Sequence, residues 1–91
     1  MTKITRAQLE KIVGEINLVL GTNPEPYTQQ PDGSISPNPG TVYIAGGFSG
    51  VRLERISNGG GSSDFLSSGF ETKRRVWELA QAWLQGYRAA K

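Results

Sequence analysis

The 91-residue chain contains no cysteine and no histidine. The first absence excludes disulfides, and the two together exclude ordinary zinc sites. They also remove cysteine nucleophiles, histidine general bases and Ser-His-Asp triads. Any chemistry must come from Arg, Lys, Asp, Glu, hydroxyls and backbone amides, which favours binding over catalysis. Long apolar runs are missing too, so no segment reads as a membrane span. The opening MTKITRAQLEK lacks the apolar stretch of a signal peptide, and a cytosolic chain is expected. Charge of one sign is scarce. Ten Lys and Arg against eight Asp and Glu leave +2, too small a margin to hold nucleic acid by itself.

A chain of this length forms one domain, residues 1–91, and buries only about 60–65% of its unfolded surface. With no disulfide or metal to help, oligomerisation is the expected source of further stability. Residues 5–20 read as a helix: Leu9, Ile12, Val13, Ile16 and Leu20 recur at helical spacing. Thr5 and Gln8 form a capping box, Ile4 and Leu9 are placed to staple, and Gly21 suits the position after the last turn. All five prolines fall in residues 22–40, where QQPDGS signals a turn inside a short hairpin or an ordered loop. Residues 41–57 read as two antiparallel strands, TVYIAGG and GVRLERIS, joined by the Gly-rich turn GGFSG. Residues 71–90 read as a second, amphipathic helix with Val76, Leu79, Ala80, Trp83 and Tyr87 as its core stripe. Trp77 and Leu84 widen that stripe, and Glu71–Arg75 and Arg74–Glu78 are spaced to pair across a turn. The expected fold is a small α+β domain: helix, antiparallel hairpin or sheet, Gly-rich loop, helix.

Eight of the twelve glycines lie between residues 40 and 69. SNGGGSSD, residues 57–64, stands out. A flexible linker joins two domains, and there is only one here. Bare backbone also lets amides approach an anion, so this stretch reads as a ligand-facing loop. TKRRVW puts Lys73, Arg74 and Arg75 in the first turn of the second helix, where the dipole prefers acids. A bound anion would relieve that conflict, whereas the plainer reading is a solvated basic face. Phe48 in its turn either plugs a neighbouring core or stacks on a ring of a ligand, and Tyr27 and Tyr43 share that ambiguity. Asn58 offers a donor and an acceptor, or is simply a turn residue. Arg52 and Arg55 read as ordinary surface positions. Asp64 has no titratable partner in the sequence pattern. No phosphate-loop or dinucleotide motif and no nucleic-acid module fits.

The stretch IAGGFSGVRLERISNGGGSSDFLSSGFETKRRVWELAQAWLQGY resembles small phage proteins with an aromatic between glycines, then N-x-GG, then a basic pair opening an amphipathic helix. It is similar to the first described type of Thoeris anti-defence protein over roughly residues 41–87. One departure is SG where the family usually has a second Gly pair. The resemblance implies a homo-oligomer, in the cytoplasm of an infected bacterial host, that sequesters a cyclic ADP-ribose isomer without cleaving it. It implies no cofactor, no metal and no catalytic residue. Some members of the family also hold cyclic oligonucleotides at a separate site in a higher oligomer. Carried over, Phe48 would stack on the nucleotide, Asn58, Gly59 and Gly60 would form the loop at the ligand, and Arg75, or its neighbour Arg74, would face the phosphates. Two alternatives stand beside this reading. One is a hydrolase using Asp64 or Glu71; the other is a phage module that binds a host protein through the apolar face of the second helix.

Overall fold

In a computed structural model, residues 3–47, 50–58, 61–66 and 69–90 are described. The order is α1 (Arg6–Leu20), β1 (Tyr27–Gln29), β2 (Ile35–Pro37), β3 (Val42–Gly47), β4 (Gly50–Ile56), β5 (Ser62–Phe65) and α2 (Lys73–Ala89). The fold is α+β, with a two-stranded antiparallel sheet β1–β2 and a three-stranded antiparallel sheet ordered β3-β4-β5.

Helix α1 starts and stops where its residues dictate. The Thr5 hydroxyl accepts from the Gln8 amide at 3.1 Å while the Gln8 side chain accepts from the Thr5 amide at 2.8 Å. Gly21 ends the helix in the left-handed region, φ 72°, returning its N–H to the last carbonyls. Leu9, Ile12, Val13 and Ile16 are buried and meet Val42 of β3, Val51 and Leu53 of β4, and Val76, Ala80 and Leu84 of α2 in one core. Both helices therefore cover the same face of the larger sheet. On α2 the buried line runs Val76–Ala80–Leu84. Leu84, expected beside the stripe, belongs to it, whereas Leu79, Trp83 and Tyr87 are only half-buried. Residues spaced four apart follow a line along the helix, and that line faces the sheet.

The Pro-rich stretch is a short hairpin. Pro31, Asp32 and Gly33 (φ 91°) make its turn, and Asp32 Oδ1 accepts from both the amide and the hydroxyl of Ser34. Asn38 ties the hairpin's end to Glu25 and Thr28.

Two sequence expectations need correction. The second half of SNGGGSSD is not loop: Ser62–Phe65 is strand β5, pairing Ile56 with Ser62 through to Leu53 with Phe65. The stretch SSDF has no β-branched residue, so pairing with β4 and not propensity makes it a strand. The loop shrinks to residues 57–61, closed by the Ser57 amide donating to the Gly61 carbonyl at 2.8 Å. The second correction concerns the start of α2, which opens at Lys73 with Thr72 as N-cap, not at residue 71. Glu71 lies ahead of it as a one-residue extension of the sheet, exchanging both backbone bonds with Val51, at 2.7 and 2.8 Å.

Candidate functional site

The Glu71–Val51 bridge fixes where the basic residues stand. It docks the chain just ahead of α2 onto the first residues of β4, against Gly50, whose φ of 138° and missing Cβ the contact requires; a Cβ there would strike the Glu71 carbonyl oxygen. Gly50, paired with Gly47 across the hairpin, and the segment leading into α2 are thus neighbours. The Thr72 hydroxyl caps the helix by accepting from the Arg75 amide at 3.1 Å, so that amide is not open to an anion. Lys73, Arg74 and Arg75 are exposed, and the first turn carries no acid. Arg74 pairs with Glu78 at 3.6 Å as its spacing implied. The expected Glu71–Arg75 pair does not form, because Glu71 is held in the sheet and not on the helix.

Asn58 is exposed in the β4–β5 loop, at the other end of β4. The seven residues of β4 span about 20 Å. One protomer therefore brings Gly50 to the segment that leads into α2 but leaves Asn58 at the far end of β4. Phe48, Gly59 and Gly60 lie outside the described residues.

A polar cluster that the sequence did not disclose occupies the sheet face away from the helices. Register puts Tyr43 opposite Glu54 and Glu54 opposite Asp64. Glu54 is only 8% exposed. Its carboxylate accepts from Tyr43 Oη at 2.6 Å, Arg52 Nε at 2.7 Å and Ser62 Oγ at 3.0 Å. Arg52 also reaches Asp64 at 3.6 Å and lies 4.6 Å from the centre of the Phe70 ring. Asp64 thus has a partner, and Arg52 is the hub of a network and not an ordinary surface residue. The bond from Tyr43, with those from Ser62 and Arg52, holds the Glu54 carboxyl below its ordinary pKa against the opposing effect of burial. Burial, and then Glu54 itself, pushes the Tyr43 phenol up. Among the described residues no buried side-chain nitrogen or oxygen lacks a partner. With its charge met by two carboxylates, Arg52 is a structural cation and not an anion receptor. The sequence hid this because Arg52 and Glu54 alternate like any exposed strand pair until β5 supplies Ser62 and Asp64.

A cleft of about 520 Å³ lies elsewhere, between α1 and the outer edge of β3, with Pro24 and Pro26 on its rim. Tyr43 is among its lining residues, whereas Asn58, Arg74 and Arg75 are not. Among the described residues no group of three or more Asp and Glu is placed to hold a metal ion, and no helix is long and apolar enough to cross a membrane. No family model, no curated protein and no solved structure matches the chain.

Proposed function

We propose that the chain is a non-catalytic binding protein that sequesters an anionic cyclic nucleotide signal of the cyclic ADP-ribose type, acting in the cytoplasm of a phage-infected host. The observation that carries this reading is the Glu71–Val51 bridge. It holds Gly50, at the end of the Gly-rich stretch, against the residue just ahead of a helix start that carries three basic side chains and no acid in its first turn. A phosphate there gains from the Arg75 guanidinium and from the helix dipole, and Phe48 supplies a stacking ring. Arg74 is the lesser contact, since Glu78 already draws on its charge. Asn58, about 20 Å from Gly50 along β4, joins the same ligand only when it comes from another protomer, so the reading requires a homo-oligomer. Cyclic oligonucleotides at a separate site belong to the same proposal. Sequestration works by mass action: sites must outnumber signal molecules, with a dissociation constant well below the signal concentration.

Arg75→Ala and Phe48→Ala each weaken binding tenfold or more, about 1.4 kcal/mol, in titrations with cyclic ADP-ribose isomers. Unchanged affinity in both variants contradicts the site. Hydrolysis by Asp64 or Glu71 is the weaker reading, because Asp64 is paired with Arg52 and Glu71 is bound into the sheet. Docking of a host protein on α2 is weaker too. Trp83 stacks on Tyr87 at 5.1 Å and meets Phe65 edge-on at 5.6 Å, so much of that apolar arc is already used within the fold.

A further inference from the structure

We infer that the outer edge of β3, together with the flank of α1 above it, is the contact between two copies of this chain. The backbone phase of β3 is fixed at Val42. Its N–H donates to Asn17 Oδ1 at 2.8 Å, and its C=O accepts from Asn17 Nδ2 at 2.9 Å. Both groups therefore point away from β4, and so do those of Ile44 and Gly46, two and four residues on. Asn17 satisfies the edge at Val42 only. Among the described residues, the N–H and C=O of Ile44 and Gly46 meet no partner on that side.

Open edges are usually protected by Lys, Pro, inward charge or a bulge. The sequence VYIAGG has none of these, and it pairs with β4 without a bulge. An antiparallel two-fold axis through Ala45 sets Ile44 of one copy opposite Gly46 of the other. Two such hydrogen-bonded pairs satisfy all the open groups. The register is sterically open: each Ile44 faces a glycine, and the residues on the axis are alanines.

The cleft beside this edge argues for the same occupant. One flank of α1 lines it through Arg6, Glu10, Val13, Gly14 and Asn17. A glycine in mid-helix costs about 1 kcal/mol relative to alanine. Among the described residues nothing requires Gly14, since a Cβ there would come within 4 Å of no atom outside its own helix backbone. Leu18, one turn further along the same stripe, is 78% exposed, the most exposed large apolar side chain described. A bare helix position next to an exposed leucine suits the close approach of a second helix. Arg6 and Glu10 pair at 3.2 Å, so the flank presents no net charge to repel its own copy across a two-fold axis. This contact is independent of the nucleotide reading and is tested without ligand.

Sedimentation equilibrium of the full chain, from micromolar to millimolar, is expected to show a dimer. Amide exchange at Ile44 and Gly46 is expected to slow as the dimer fills, while Val42, held by Asn17, exchanges slowly throughout. Gly46→Pro deletes one outward N–H without touching a β3–β4 bond, and Leu18→Glu charges the helix stripe. Each is expected to weaken dimerisation tenfold or more with circular dichroism unchanged. A monomer at every concentration overturns the inference, even one that captures an extended peptide at this edge. So does a dimer indifferent to both substitutions.

Discussion

Gly46 of β3 and Gly50 of β4 are four residues apart in sequence, yet they differ in what they can tolerate. At Gly50 a methyl group meets the Glu71 carbonyl and the φ is positive; at Gly46 it meets nothing. Gly50→Ala is expected to cost about 2–3 kcal/mol in urea unfolding and to loosen the start of α2, while Gly46→Ala stays within about 0.5 kcal/mol. Asn17 is a second such residue. It is 2% exposed and serves as the strand partner that Val42 otherwise lacks, so Asn17→Ala is expected to cost about 2–3 kcal/mol. Neither role was legible in the sequence, because each depends on a backbone that approaches from far along the chain. Glu54 sets the acid limit. Its folded pKa lies below the unfolded value, so its contribution is complete above about 4.3 and is lost as pH falls through the lower folded value. Tyr43 acts in the opposite sense: its raised pKa gives a contribution that is complete below about 10 and is lost as pH rises further. Glu54→Gln is expected to flatten the acid limb of a stability-against-pH curve; an unchanged limb would place the titrating group elsewhere.

At the scale of elements, local signals were read well and pairing signals were not. Helix α1, its capping box and its Gly21 stop follow from neighbours in sequence, as do the β3–β4 hairpin and the Pro31–Gly33 turn. Strand β5 was missed because Ser62, Ser63 and Asp64 are poor strand formers that β4 recruits through its backbone. That omission in turn concealed the Arg52–Glu54–Asp64 cluster. The opening of α2 was displaced by two residues for a similar reason: Glu71 suits a first helical turn, but the sheet claims it. The basic first turn is the element's conflict, since its charges oppose the helix dipole. Lys73→Glu is therefore expected to stabilise the free protein by about 0.5 kcal/mol while weakening anion binding. Thermal melting and nucleotide titration of one variant then separate stability from function. A variant that is both more stable and equally good at binding would mean that the basic turn is only a solvated face.

For the molecule as a whole, the candidate site is split by its own topology. Gly50 and the segment leading into α2 meet at one end of β4, and Asn58 sits at the other. In the sequence, residues 57–64 read as one ligand-facing loop; strand β5 takes Ser62–Asp64 out of it and carries the chain back along β4. Under the proposed function, such a site is completed by a second copy of the chain. The proposed function is that the chain holds a cyclic ADP-ribose-type signal without changing it. It is tested by calorimetric titration of the purified protein with cyclic ADP-ribose isomers, then heat denaturation and chromatography of what is released. Saturable, tight binding of at least one isomer and recovery of that isomer intact are expected. Absence of binding to every isomer, or recovery of a cleaved product, would contradict it.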